Sequence, residues 1–276
     1  MDIAQQLIRQ YGASNNLAVR IDVHERFSTN PYRWMLWVFD HLNLPEPCRV
    51  LELGCGVGKL WLENAYRIRP TWDITVSDFS AAMLAATKAN LADVHAAFDF
   101  QQVDVDHIPF SSQTFDAVIA NHMLYYARDI DRAVAEIARV LKPSGKLYAS
   151  TNGMRHLKEI DDLIIGFRGG TRPIASVITM FNLDTGQDVL ARHFARVDID
   201  RQANALRITD PEALTAFCLS ITRAAIPEQS YPAFASYVAQ HVQAHGGTLH
   251  IEKDAGLFVA MKGQDKVTDT PISPYR

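Results

Sequence analysis

The segment Val50–Leu60 reads VLELGCGVGKL, and it joins a short apolar run to glycines at alternate positions, Gly54, Gly56 and Gly58. The apolar run predicts a buried strand, and the glycines predict a tight turn that lets a ligand approach the backbone closely. Glu52 places a carboxylate beside this turn. A glycine-rich turn directly after a buried strand is typical of ligand binding at the carboxyl edge of a parallel sheet. The segment therefore predicts an α/β fold with a nucleotide-like ligand at the end of its first strand.

Around this segment, strand patterns alternate with helix patterns over residues 46–153. Apolar strand patterns cover residues 48–54, 72–78, 98–104, 114–123 and 146–151, and helical patterns cover residues 58–69, 80–93 and 129–142. Ser80 is placed to cap the second of these helices. Strands alternating with helices predict parallel βαβ units in a doubly wound sheet.

The segments on either side of this core predict a helical cover. Residues 1–45 predict a helical N-terminal part, with helices over 1–11, 15–27 and 31–42. Residues 154–246 predict helical lid elements and a sixth strand near 194–202. Residues 247–263 predict two strand-like runs around a turn, and residues 264–276 predict a flexible tail. In the lid, Asp210 and Pro211 are expected to begin a helix.

The bulk composition restricts the class of partner. The chain has 276 residues, 48% of them hydrophobic, and a formal net charge of −4, so no overall basic field attracts nucleic acid or an anionic membrane. No apolar run approaches the ~18 residues of a membrane span, and the first residues lack the apolar core of a signal peptide. The three cysteines have no CxxC spacing. These features predict a cytoplasmic monomer or homodimer with reduced thiols and without a metal site.

Three ligands compete for the glycine turn. A phosphate-binding P-loop is excluded because Leu53 and Leu60 occupy positions that require glycine and a hydroxyl residue. A dinucleotide fingerprint fits Gly54 and Gly56 but has Lys59 in place of its third glycine. S-adenosylmethionine has no phosphate and carries two cationic groups, so a neighbouring carboxylate is tolerated. The residues thus favour S-adenosylmethionine over a dinucleotide.

VLELGCGVGKL closely resembles the first motif, E/D-x-G-x-G-x-G, of the class I S-adenosylmethionine-dependent methyltransferases. Four further motifs of that family follow in order: TVSDFSAAML (75–84), FQQVDVDHIPF (100–110), TFDAVIANHMLYYARD (114–129) and IARVLKPSGKLYAST (137–151). The resemblance covers residues 46–152. It implies a Rossmann-like sheet of seven strands, the last antiparallel, beneath a helical cover. The segment 207–246 departs from the family pattern and is interpreted as extra cover over the substrate.

The resemblance also implies roles for residues around the cofactor. Asp78 would bind the ribose hydroxyls, Asp104 with Val105 the adenine edge, the Asn121 backbone carbonyl the ammonium group, and Arg20 the carboxylate. The full predicted cofactor set is Arg20, Glu52, Gly54, Cys55, Gly56, Asp78, Phe79, Met83, Asp104, Val105 and Asn121. Simpler explanations stand beside these roles: a helix cap for Asp78, a turn for Asp104, core packing for the apolar members, and a surface ion pair for Arg20.

Three residues are candidates for the chemistry. His122 and Tyr126 follow the fourth strand, where the family holds the methionine part of the cofactor, and His156 follows the fifth. An imidazole with an ordinary pKa near ~6.5 can take a proton from a substrate O–H or N–H, although structural packing explains a histidine equally well. The implied reaction is in-line transfer of a methyl group to an O, N or C nucleophile of a small molecule, leaving S-adenosylhomocysteine. An NAD(P)-dependent oxidoreductase and a non-catalytic S-adenosylmethionine-binding regulator are the alternatives.

Overall fold

The structure, a computed structural model, describes residues 14–221 and 226–263. The strands are β1 (Cys48–Leu53), β2 (Trp72–Asp78), β3 (Phe98–Gln102), β4 (Phe115–Asn121), β5 (Leu141–Asn152), β6 (Arg196–Ile208) and β7 (Leu249–Met261). The helices are α1 (Ser14–Phe27), α2 (Trp34–His41), α3 (Lys59–Glu63), α4 (Ala81–Asn90), α5 (Ile130–Val140), α6 (Lys158–Arg168), α7 (Gly186–Ala191), α8 (Pro211–Ser220) and α9 (Tyr231–Ala244). The predicted helix over 1–11 and the predicted tail over 264–276 lie outside the described residues.

The strands form one mixed sheet in the order β3-β2-β1-β4-β5-β7-β6. β7 runs antiparallel to both of its neighbours, and the remaining adjacent pairs are parallel. The predicted seven-stranded doubly wound sheet with an antiparallel last strand is therefore confirmed. Strand order reverses between β1 and β4, which is the position where open α/β sheets bind ligands.

The helices beside the sheet begin and pack as their sequences predict. The Ser80 hydroxyl accepts a hydrogen bond from the Met83 amide at the start of α4, and Asp210 caps α8 with Pro211 in its first turn. In α5, the side chains of Ile130, Val134 and Ile137 recur at helical spacing and are buried against the sheet. The apolar stripe of α5 therefore covers one face of the sheet.

A second hydrophobic cluster joins the cover to the end of the β6–β7 ribbon. It combines apolar side chains of α1, α6, α8 and α9 with those of the two strands: Val23, Ile160, Leu163, Ile164, Leu206, Ile208, Leu214, Phe217, Phe234, Val238, Leu249 and Ile251. The cover thus packs onto the part of the ribbon that extends beyond β5. None of the described helices is long and apolar enough to cross a membrane.

Two local predictions are wrong. The predicted pair of strand-like runs over 247–263 is one continuous strand, β7, which pairs with β6 along its full length from Leu249 to Met261. The polar residues at its centre resemble a turn in sequence, but the long antiparallel partner satisfies their backbone groups. The predicted helix over 58–69 stops at Glu63 and continues as a 3₁₀ turn. There the Asn64 side chain donates a hydrogen bond to the Leu60 carbonyl, at 2.9 Å.

Candidate active site

The turn after β1 is built from glycines in left-handed backbone conformations. φ is +68° at Gly54 and +60° at Gly56. A β-carbon at Gly54 would lie 2.7 Å from Cβ of Met123, so the turn packs tightly against the exit of β4. A β-carbon at Gly56 would meet none of the described atoms within 4 Å. The turn is therefore closed against β4 on one side and open to a ligand on the other.

Asp78, at the end of β2, holds this turn in place. Its carboxylate accepts one hydrogen bond from the Gly56 amide, at 2.9 Å, and another from the Ser80 amide, at 2.8 Å. Burial raises the pKa of Asp78, and the two backbone hydrogen bonds oppose that shift. A carboxylate so placed can accept further hydrogen bonds from hydroxyl groups of a ligand. Its predicted role as ribose ligand stays a prediction.

Glu52 is buried beneath the turn and binds the first helix after it. Its Oε2 atom accepts a hydrogen bond from Nε1 of Trp61, at 2.7 Å, and its side chain is almost fully enclosed. Burial raises the pKa of Glu52 to about 8, against the smaller opposing effect of the Trp61 hydrogen bond. Because this contact ties β1 to α3, it supports an indirect role for Glu52, in which the side chain orients the loop.

These elements enclose a cavity of about 520 Å³ at the carboxyl edge of the sheet. That volume is in the range of small-molecule sites. Most of the predicted cofactor set lines the cavity: Glu52, Gly54, Cys55, Gly56, Asp78, Phe79, Met83, Asp104, Val105 and Asn121. The catalytic candidates His122 and Tyr126 line it as well. The tertiary structure thus brings together residues from four of the five motifs of the sequence.

Cys55, Phe79 and Met83 form apolar parts of the wall. Burial raises the pKa of the Cys55 thiol, whose sulfur lies 3.4 Å from Oγ1 of Thr87. The thiol is therefore protonated at neutral pH, consistent with a small lining residue and not a nucleophile. Met83 is buried, whereas the Phe79 ring is 43% exposed, so core packing does not account for Phe79.

Asp104 lies at the rim of the cavity in a tight turn. Its Oδ1 atom accepts a hydrogen bond from the Asp106 amide, at 3.0 Å, and Oδ2 pairs with Arg128. The simpler turn-forming role of Asp104 is therefore present in the structure. Contact of Asp104 and Val105 with an adenine edge stays a prediction.

Asn121 ends β4 with its side chain already engaged. Its Oδ1 atom accepts hydrogen bonds from Nε1 of Trp34, at 3.2 Å, and from the Ser150 hydroxyl. Its amide nitrogen lies 3.3 Å from the sulfur of Met35. Since the side chain is engaged in these contacts, the arrangement supports the prediction that Asn121 acts through its backbone carbonyl.

His122 follows in a left-handed conformation, with φ of +52°, which is uncommon for a residue with a side chain. Its amide donates to the Ser150 hydroxyl, at 2.9 Å, and its ring centroid lies 5.0 Å from that of Trp34. Burial, assisted by the positive charge of Lys253, lowers the pKa of His122 to about 4. At neutral pH the imidazole is therefore uncharged and able to accept a proton.

Two predicted site residues do not line the described cavity. They are Arg20, predicted to bind the cofactor, and His156, a catalytic candidate. Arg20 donates from Nε to the Asn16 carbonyl, at 3.1 Å. The alternative ion pair of Arg20 is not formed either: Asp22 pairs with Arg26, and Glu25 pairs with Lys59. His156 is 9% exposed, and burial lowers its pKa well below the ordinary value.

No local sequence pattern singles out Lys253, which lies at the centre of β7. Burial lowers the pKa of this lysine to about 8. The carbonyl of Asp254 accepts from the Gly153 amide, and that of Glu252 accepts from the Leu157 amide, at 2.8 and 2.9 Å. These bonds bring the loop that carries His156 alongside Lys253. The contact depends on β7 lying next to β5, which no local pattern predicts.

Comparison with known proteins agrees with this geometry. Residues 51–149 match the family described as Methyltransferase domain. Over 119 residues the chain is 34% identical to a malonyl-[acyl-carrier protein] O-methyltransferase of Methylovorus sp., covering 41% of this chain and 40% of the relative. Over 135 residues it is 31% identical to a ubiquinone/menaquinone biosynthesis C-methyltransferase of Bordetella avium, covering 48% and 53%. The match therefore spans about half the length of these relatives.

A solved structure shares the fold over most of the chain. Phosphoethanolamine N-methyltransferase 2 of Haemonchus contortus, in complex with S-adenosyl-L-methionine, superposes with a TM-score of 0.61 at 17% identity. The similarity covers 96% of this chain and 60% of that one. At this identity the likeness concerns the fold.

The fold and the cavity define a Rossmann-like protein with a small-molecule site at the switch point of its sheet. Together with the family match over residues 51–149, they identify the core of the chain as a class I S-adenosylmethionine-dependent methyltransferase domain.

Proposed function

We propose that this protein transfers the methyl group of S-adenosylmethionine to an O, N or C nucleophile of a small molecule, and releases S-adenosylhomocysteine. The observation that carries the proposal is the cavity itself. It unites the glycine turn, the Asp78 carboxylate that holds it, and the neutral imidazole of His122. Its residues fit the cofactor because the turn is open at Gly56 and acidic groups face the space expected for a cationic ligand.

Within this proposal, the cofactor supplies an activated methyl group, and the chain supplies alignment and exclusion of water. Asp78 and the turn bind the nucleoside part, and the backbone of Asn121 binds the amino group. Tyr126 lines the cavity beside His122. His122 receives a proton when the acceptor is a hydroxyl or an amine, whereas an enolate carbon needs no base.

A small-molecule acceptor is supported by the enclosure of the cavity. Lys59 lines it and bonds through Nζ to Oε1 of Glu25 on α1, at 2.8 Å, so the N-terminal cover is tied over the turn. Trp34 closes the side next to His122. The named relatives methylate oxygen and carbon. The atom methylated by this protein therefore has to be found by experiment.

Calorimetry with S-adenosylmethionine, S-adenosylhomocysteine and NAD tests the cofactor. We expect both sulfur compounds to bind and NAD to fail, since Lys59 occupies the position of the third glycine of a dinucleotide site. Tight NAD binding without S-adenosylmethionine binding would refute the proposal and favour an oxidoreductase. Methyl transfer across a metabolite panel then separates an enzyme from a non-catalytic binder of the same cofactor.

His122→Gln tests the proton acceptor. If the acceptor is a hydroxyl or an amine, we expect kcat to fall by about 10²- to 10⁴-fold, the usual contribution of a general base, with cofactor affinity retained. The matched control is His95→Gln, which changes an exposed histidine outside the cavity. Full turnover by the His122 variant on such an acceptor would remove His122 from proton transfer.

A further inference from the structure

A group of basic side chains lies behind His122, on the side of the site away from the nucleoside turn. This basic cluster consists of Arg20, His24, His122, His156 and Lys253. Its members come from α1, the exit of β4, the loop after β5, and the centre of β7. The backbone hydrogen bonds of Gly153 and Leu157 to β7 place the loop of His156 beside Lys253, and Arg20 and His24 lie one helical turn apart on α1. In agreement with this placement, the pKa of His24 is lowered by burial and, to a smaller extent, by the charges of Lys253, His122 and Arg20.

The cluster holds several buried nitrogen atoms without hydrogen-bond partners among the described residues. They are Nη2 of Arg20 and the Nδ1 atoms of His24, His122 and His156. A buried nitrogen without a partner destabilises the fold relative to one that is hydrogen-bonded. The rings are also held in place, since His24 packs edge-on against Phe217 with centroids 5.6 Å apart. A polar ligand bound in this region would supply hydrogen-bond partners for these fixed nitrogens.

The charge of this region is positive and locally uncompensated. The acidic neighbours of Lys253 along β7 are each paired elsewhere, Glu252 with Arg155 at 3.0 Å and Asp254 with Arg201 at 2.8 Å. Strand alternation places these two carboxylates on the sheet face opposite Lys253. Lys59, which also acts on His24, is paired with Glu25, at 2.8 Å. No described carboxylate forms an ion pair with Lys253.

The cluster adjoins the cofactor cavity through His122, which belongs to both. We propose that the methyl acceptor is an anionic small molecule whose carboxylate or phosphate group is bound by Arg20, His24, His156 and Lys253. This inference rests on the proposed methyltransferase function. The described residues contain no His, Cys, Asp and Glu group arranged to hold a metal ion, so the histidines are assigned to the anion and not to a metal.

For a hydroxyl or amine acceptor, methyl transfer forms one bond, breaks one bond and moves one proton. The nucleophile forms a bond to the methyl carbon, the bond from that carbon to sulfur breaks, and its electron pair stays on sulfur. The proton of the nucleophile passes to the imidazole of His122. A bound anion also favours the protonated imidazole, so it raises the pKa of His122 from about 4 and makes it a stronger base. Binding and proton transfer are thereby coupled.

The test uses the full chain saturated with S-adenosylhomocysteine. Inorganic phosphate, acetate and benzoate are titrated against it, with acetamide and benzamide as neutral matches, while the histidine ring signals are followed by NMR. We expect at least one anion to shift the signals of His24, His122 and His156 saturably, and the amides to leave them unchanged. In Lys253→Met and His156→Gln we expect the affinity for that anion to fall at least ~10-fold.

Two controls separate this inference from the function on which it rests. Lys88→Met removes an exposed lysine of α4 and should bind the anion as the natural chain does. S-adenosylmethionine affinity, measured by calorimetry, should be retained in the Lys253 and His156 variants because neither residue lines the cofactor cavity. If the cofactor binds but no anion shifts the histidine signals, or if both variants bind the anion normally, the anionic acceptor is refuted and the methyltransferase proposal stands. If the natural chain binds no cofactor, the methyltransferase proposal itself fails.

Discussion

Replacement of Lys253 by methionine should make the protein more stable. Burial lowers the pKa of this lysine from 10.5 to about 8. One pKa unit corresponds to about 1.4 kcal/mol, so keeping the buried ammonium charged at pH 7 costs about 3 kcal/mol. Methionine keeps most of the length of the side chain and removes the charge. We therefore expect the free energy of unfolding of Lys253→Met to rise by about 2–3 kcal/mol at pH 7.

The pH dependence distinguishes this cause from a general packing effect. The folded protein binds the Lys253 proton less tightly than the unfolded chain, so the cost is fully present below pH 8. It declines as the pH rises toward 10.5, above which lysine is neutral in both states. The stability gained by the variant should therefore shrink between pH 7 and pH 10. Urea unfolding followed by tryptophan fluorescence at both pH values measures the difference.

Lys88→Met, on the exposed face of α4, is the matched control and should change stability by no more than about 0.5 kcal/mol. A loss of stability in Lys253→Met, or an equal gain at pH 7 and pH 10, would refute the reasoning. A gain in stability with loss of anion binding is the expected signature of a charge retained for a ligand.

Three further predictions concern the cofactor turn. Gly54→Ala should lower the free energy of unfolding more than Gly56→Ala, because only the first β-carbon would collide with Met123, at 2.7 Å; equal losses of stability in urea unfolding would contradict this. Asp78→Asn should raise the Kd for the cofactor about 10- to 100-fold, since the carboxylate holds the turn through the Gly56 amide, and an unchanged Kd would remove Asp78 from the site. The free energy of unfolding of Glu52→Gln should depend less on pH than that of the natural chain. Burial raises the pKa of Glu52 from 4.5 to about 8, so the natural chain should lose about 3 kcal/mol relative to the variant as the pH rises from 4.5 to 7. Parallel unfolding curves over that range would exclude a buried, protonated Glu52.

The residues that line the cavity around the glycine turn could be predicted because their information is local. Each strand ends next to its own cavity-lining residue, Gly54 after β1, Asp78 at the end of β2 and Asn121 at the end of β4. Parallel strands joined by helices bring these ends to one edge of the sheet, whatever the rest of the chain does. A short motif therefore carries both the strand and the ligand contact, and neighbouring motifs meet at the switch point by topology alone.

The extent of β7 could not be predicted in this way. Lys253 and Asp254 interrupt its apolar pattern, and polar residues between two apolar runs are typical of a turn. In the folded chain the full-length ladder with β6 satisfies their backbone groups, and Arg201 neutralises the Asp254 carboxylate. A long-range partner thus overrides the local pattern.

The basic cluster depends on tertiary structure throughout. Lys253 reaches His156 because β7 is inserted antiparallel between β5 and β6, where its backbone bonds the loop after β5. His24 reaches them only because α1 packs across the cover. These residues lie far apart in the chain and share no motif, so their spacing carries no signal. The glycine turn and its carboxylates encode the site proposed for the methyl donor. The basic cluster proposed to select the acceptor exists only once the antiparallel strand and the cover are in place, since tertiary packing brings its basic groups together and buries its unsatisfied nitrogens.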